Sequence, residues 1–258
     1  MAVAVSYVDK NSITTGNSIA SSVSVDPAAN ELWCVFLVMR TTSITPSISG
    51  TGLSWTEVTS LANAQGQMKA WLWRGLSTSD PSSGTITVTI TGNLKPAWLV
   101  IWKATGVDTS GTNGSGAIDA SATNGGPAVT DDDDMLCSIT TNTANAVVVG
   151  NGSHRTGTFT VPGGESSLSI NNSVGAGGDL TTASVWYQDV ASPGAVNIGE
   201  LNDLDSARDW LVIAVALKPG SVAQAISMSP VTLAGSAVSG AVAPGVFVVP
   251  ASTLTLLG

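Results

Sequence analysis

Trp98-Leu99-Val100-Ile101 and Trp210-Leu211-Val212-Ile213 are one four-residue word used twice, and each opens an apolar run. The first run continues through Trp102-Lys103-Ala104 to Thr105-Gly106, the second through Ala214-Val215-Ala216-Leu217 to Lys218-Pro219-Gly220. Apolar runs of about 8 residues that end on turn residues fit strands buried on both faces. They fall well short of the roughly 18 residues a transmembrane helix needs. Two copies of one buried strand point to a doubled sheet.

Working outward, the two halves match at further places. Ala29-Asn30 precedes an apolar run in the first half and Ala144-Asn145 one in the second, with Arg40 and Arg155 each ten positions after the Asn. Asn30 and Asn145 are 115 apart, Trp73 and Trp186 are 113 apart, and Trp98 and Trp210 are 112 apart. Matches in the same order with loop-sized drift indicate duplication, and they place Trp98 and Trp210 at equivalent positions related by an approximate twofold. Ahead of the first word, Glu31 to Arg40 reads as a central strand, and Ser18 to Val25 and Leu53 to Val58 as shorter ones. Gln67 to Arg74 carries bulk on both faces, and Thr85 to Thr91 alternates without exception. In the second half, Met135 to Thr140, Ala146 to Val149 and Ser184 to Tyr187 read as strands. Ser47 to Gly52 reads as a loop, Asn151 to Arg155 as a polar turn, and Gly106 to Asp134 as a long connection between the halves.

Charged residues are only 10% of the 258-residue chain, against about 25% ordinarily. A net charge of −9 with no basic stripe disfavours nucleic-acid binding and anionic membrane surfaces. Met1 to Tyr7 lacks the basic and apolar regions of a signal peptide, which leads to an expectation of cytoplasmic synthesis. Cys34 and Cys137 each lie in or beside an apolar run and are expected as buried free thiols.

Beyond Lys218-Pro219-Gly220 the texture changes to an Ala/Ser/Gly/Pro spacer with almost no charge. Ser229 to Gly235 aligns with Ser252 to Gly258 at an offset of 23. An apolar extension of this kind cannot build its own core, and its strand edges would pair with other chains. Its apolar positions Val231, Leu233, Val246, Phe247, Val248, Leu254 and Leu256 are therefore the expected interface residues.

Candidate sites are few. Asp131, Asp132, Asp133 and Asp134 could donate oxygens to Ca²⁺, but adjacent carboxylates in an extended chain point to opposite faces, and a solvated turn is the simpler reading; no other cofactor is expected. His154 is the only histidine and no G-x-S-x-G elbow occurs, so no catalytic set is assigned. Gly111 to Gly116 lacks the Lys and Ser/Thr of a phosphate loop. Of eight tryptophans, only Trp55 stands beside a loop, where an aromatic face could stack on a sugar ring.

Ala29-Asn30-Glu31-Leu32 entering an apolar strand, Leu53-Ser54-Trp55-Thr56, Trp73 before a Thr-alternating strand, Gly106-Val107-Asp108-Thr109 after the first word, Ala144-Asn145-Ala146-Val147 and Ala214 to Pro219 form a succession over about residues 1 to 220. It resembles phage and prophage virion proteins built on jelly-roll-like sandwiches, and Ser229-Pro230 with the Thr-Leu strands is similar to C-terminal extensions of phage structural proteins. The expected fold is an all-β, two-sheet antiparallel sandwich, jelly-roll-like, with internal duplication (residues 1–220, halves about 1–110 and 130–220) and a C-terminal extended arm (221–258). The resemblance implies a non-enzymatic virion protein, foremost a capsid decoration protein. It would be a homo-oligomer, with a trimer favoured, seated on a major capsid or tail protein. The alternative is a glycan-binding module of a tail or secreted protein.

Overall fold

The computed structural model describes residues 2–40, 43–63, 65–91, 96–126, 135–155, 159–175, 181–199 and 209–221. The chain divides into two units, Met1–Val222 and Ala223–Gly258, and all described residues belong to the first. Among them the first half supplies β1 (Ala4–Ile13), β2 (Ser18–Ala20), β3 (Leu32–Met39), β4 (Pro46–Ser49), β5 (Thr56–Ala62), β6 (Lys69–Leu76), β7 (Thr87–Ile90) and β8 (Ala97–Thr105). The second supplies β9 (Ile118–Gly126), β10 (Cys137–Thr141), β11 (Ala146–His154), β12 (Ser166–Val174), β13 (Thr181–Val190), β14 (Gly194–Ile198) and β15 (Trp210–Leu217).

The fold is an all-β sandwich of antiparallel sheets. The first half forms a large sheet in the order β1-β8-β3-β6-β5 and a small one, β2-β7-β4. The second forms β9-β15-β11-β13-β12 and β10-β14. Substituting β9 for β1, β15 for β8, β11 for β3, β13 for β6 and β12 for β5 turns one large sheet into the other, which makes the duplication topological as well as sequential. The large sheets pack face to face with β1 over β12 and β5 over β9. This is the arrangement made by a twofold axis running parallel to the strands.

Three cores follow from four layers. Cys34, Phe36 and Val38 of β3, Val100 and Trp102 of β8, and Leu211, Ile213 and Val215 of β15 meet in the central core between the large sheets. The alternate residues Trp33, Val35, Leu37, Leu99 and Ile101 pack with Ile86, Val88 and Ile90 under the first small sheet. Val148, Trp186, Trp210, Val212 and Ala214 pack with Cys137 and Ile139 under the second. Strands β3 and β15 are buried at every position, because each has a core on both faces and side chains alternate between them.

The shared word is one residue out of structural register. Asn30 and Asn145 both take left-handed backbone, φ 64 and 56, and aligning them places Leu32 on Val147. Leu32 pairs with Ala104 and Val147 with Leu217, so Trp98 corresponds to Leu211 and Trp210 to Ala97. Trp98 accordingly packs against the central core and Trp210 in the outer core of the second half. The expected equivalence of Trp98 and Trp210 is thus corrected: a slip of one residue reverses the face of a strand. Trp73 and Trp186 do occupy equivalent places, opposite Val35 and Gly150.

Other local readings change too. Pro46–Ser49, which overlaps the expected loop, pairs with β7 as β4; with only Pro46 and Ile48 turned inward among serines, it is too short to give a periodic signal. Ser18 to Val25 is a strand only over Ser18–Ala20, because the Ser22 backbone N–H and hydroxyl turn to the Asp9 carboxylate. Asp119 of β9 clamps the turn after β10 in the same way, accepting from Asn142 N–H and Thr143 N–H and Oγ1. The expected connection Gly106 to Asp134 contains β9, a strand of small residues invisible to hydrophobic periodicity. The expected polar turn Asn151 to Arg155 is largely the end of β11, with Asn151, Ser153 and His154 buried at 0%, 0% and 1% exposure.

Candidate functional site

Polar side chains form a seam at one end of the central core. Trp102 Nε1–H donates to Asn151 Oδ1 at 2.8 Å, and Asn151 Nδ2 donates to the Ile213 carbonyl at 3.2 Å. Ser153 Oγ donates to the Thr182 carbonyl at 2.6 Å, and Thr182 Oγ1 accepts from His154 N–H and donates to the His154 carbonyl. Trp98 Nε1–H reaches the Thr181 carbonyl at 3.2 Å. Two indoles of the first half are thereby hydrogen-bonded to the second half, which fixes how the large sheets sit on each other. Buried polar groups satisfied in this way specify one packing. The sequence signal was present: Asn151 and Ser153 continue the alternation of Val147 and Val149 toward the central core, but their polarity reads as a turn.

At the opposite end the N-terminus, the link between halves and the last described residues converge. Val107 bridges to Pro219, Gly220 N–H donates to the Gly106 carbonyl at 2.7 Å, Asp108 N–H to the Lys218 carbonyl at 2.9 Å, and Lys218 N–H to the Ala117 carbonyl at 2.9 Å. Gly106, with φ 71, lies so close to the Ala2 carbonyl that no Cβ fits. Lys218 Nζ stands 2.8 Å from Asp108 Oδ2. That hydrogen bond, with those from Ser110, draws the Asp108 carboxyl down to about 2, while Asp108 raises Lys218. This staple holds the chain firmly up to the point where the charge-poor extension begins.

The residues singled out from sequence fall as follows. Trp55 is half-buried; its Nε1–H donates to the Gly50 carbonyl at 3.2 Å, and its six-membered ring lies over Gly75, where a Cβ would come within 3.3 Å. A hydroxyl-lined depression of about 350 Å³ is walled by Ser54, Ser77, Thr78, Thr112 and Asn113, and the Trp55 indole is not part of its wall. Six further tryptophans (Trp33, Trp71, Trp73, Trp102, Trp186 and Trp210) are buried. Cys34 and Cys137 are free thiols in different cores. Burial pushes the Cys34 thiol up strongly and holds Cys137 at about 11 against the lowering effect of a backbone hydrogen bond at Ala214.

Asp131, Asp132, Asp133 and Asp134 lie outside the described residues, as do Val231, Leu233, Val246, Phe247, Val248, Leu254 and Leu256. Among the described residues no group of three or more His, Cys, Asp or Glu is placed to hold a metal ion, and no helix is long and apolar enough to cross a membrane. No family model, curated protein or solved structure matches the chain.

Proposed function

We propose that the protein is a non-enzymatic structural component of a phage particle, a capsid decoration protein whose body is carried by a C-terminal arm. The observation that carries this reading is the contrast between a self-contained body and a charge-poor extension. All four outer edges of the large sheets are irregular: register shifts fall at Tyr7/Asp9 in β1, Glu57/Thr59 in β5, Ser167/Ser169 and Asn171/Val174 in β12, and where β9 meets Ala216/Leu217. Irregular edges resist pairing with other chains. Contacts with neighbours therefore fall to other surfaces, and residues 221–258, rich in Val, Leu, Ala and Ser, have the composition for burial against a capsid protein or another copy of this chain, a trimer being the favoured assembly.

The test is removal of residues 221–258. The shortened chain should keep its thermal transition and its far-ultraviolet spectrum while losing its place on particles in a competition for occupancy. A shortened chain that occupies particles as the full chain does refutes the proposal.

A further inference from the structure

We propose that Asn124-Gly125 is a site of spontaneous backbone-assisted deamidation, and that its conversion unfastens β9 from the segment leading into β10. Three Asn-Gly pairs lie among the described residues: Asn113-Gly114, Asn124-Gly125 and Asn151-Gly152. Glycine offers no side chain to hinder attack by its own nitrogen, so all three have the required chemistry. Their surroundings separate them.

Asn151 is wholly buried in β11, which is paired on both sides, so a solvent base reaches it only when the strand opens. Asn113 has left-handed backbone, φ 50, and directs its Nδ2 at Thr56 Oγ1, 3.2 Å away; Gly114 behind it is buried against Leu32 and Leu76. Asn124 is exposed on β9, an edge strand paired only with β15. There the Gly125 N–H points at the side chain that it would attack, donating to Asn124 Oδ1 at 2.9 Å. When a solvent base removes that proton, the nitrogen lone pair faces Asn124 Oδ1, and a rotation of this exposed side chain, which releases the Leu136 carbonyl, brings Cγ onto the nitrogen.

The step is redox-neutral. Gly125 N bonds to Asn124 Cγ, the bond from Cγ to the side-chain nitrogen breaks, and ammonia leaves, closing a five-membered succinimide. Water then opens the ring at either carbonyl, giving aspartate or isoaspartate. Asn124 Nδ2 donates to the Leu136 carbonyl at 2.8 Å, and a carboxylate has no proton to offer there. Deamidation thus replaces the tether between β9 and the start of β10 with repulsion between two oxygens. The isoaspartate product also adds a backbone atom, which breaks the register of β9 against β15.

The full-length protein is incubated folded, in mildly alkaline buffer below its melting temperature, and in parallel unfolded in denaturant, and each pair is followed by peptide mapping. In the unfolded chain the three sites should convert at comparable rates. In the folded chain Asn151 converts only through local opening, and each 1.4 kcal/mol of opening free energy slows it about tenfold. Asn124 should therefore lead Asn151 by at least about tenfold and should also lead Asn113. Asn124→Gln should remove the early ammonia release. The proposal is overturned if Asn113 or Asn151 converts as fast as Asn124 in the folded protein, or if Asn124 stays intact while the unfolded chain converts completely.

Discussion

Replacing Gly150 with alanine sets two effects of opposite sign against each other. Gly150 lies in the extended central strand β11, where alanine is ordinarily the better residue by roughly 0.5–1 kcal/mol. Here a Cβ would stand 2.7 Å from Trp186 Cε2, 2.8 Å from Cζ2 and 3.0 Å from Ile198 Cγ1. The indole has no retreat, because its far edge lies over Gly152 and the Phe159 ring is 4.5 Å away between centroids. Overpacking costs about 1–3 kcal/mol, so the net change is a loss of up to about 2.5 kcal/mol, worth about 2–4 °C in Tm per kcal/mol. Urea unfolding followed by circular dichroism measures it. In a Trp186→Leu background the overlap with the indole is gone and only the 3.0 Å approach to Ile198 Cγ1 remains, so Gly150→Ala should cost clearly less than in the parent. A Gly150→Ala protein more stable than its parent, or one destabilised equally with and without Trp186, refutes this account of the packing.

Other expectations concern the seam, the staple and the thiols. Asn151→Leu leaves the Trp102 indole N–H buried without its acceptor and should cost about 1–3 kcal/mol in urea unfolding; a neutral result would mean that the seam does not orient the sheets. Because Asp108 is lowered in the folded state, its contribution is present above the ordinary carboxylate range and is lost as pH falls toward about 2. Carboxyl NMR should place its midpoint there and should return it toward the ordinary range in Lys218→Met. Cys34 and Cys137 should both resist a thiol reagent in the folded protein and both react on unfolding, since burial keeps each protonated; the absence of any reactive thiol after unfolding, restored by a reductant, would show a bridge.

The large sheets were legible where strands with a core on each face are apolar throughout, as Leu32 to Met39 and Trp210 to Leu217 are. The alternating Thr85 to Thr91 was legible for the complementary reason: it borders one core, with Ile86, Val88 and Ile90 turned inward. The edge strands were not. β9 (IDASATNGG) and β12 (SSLSINNSV) carry only a few large apolar residues among small and polar ones, and their conformation is imposed by β15 and β13 rather than announced by their own pattern. Trp55 was identified by its place beside a loop, but its bond to Gly50 and its seat over Gly75 follow from backbone approaches that residue types do not encode. Asn151 and Ser153 misled because polarity inside a strand reads as a break until an indole partner from the other half is seen.

The seam between the halves also bears on what joining two copies in one polypeptide permits. Under the twofold relation Asn151 corresponds to Phe36 and Trp102 to Val215, so the hydrogen-bonded pair Trp102 and Asn151 has Val215 and Phe36 as its image, all four in or beside one core. A symmetric dimer of identical chains has to repeat every substitution on both sides of its axis and cannot hold a polar pair at one site and an apolar pair at its mirror. Covalent linkage lifts that restriction. The two halves are free to diverge into lock and key at a shared boundary, and the boundary then accepts one alignment of the sheets and rejects the exchange of one half for a second copy of the other.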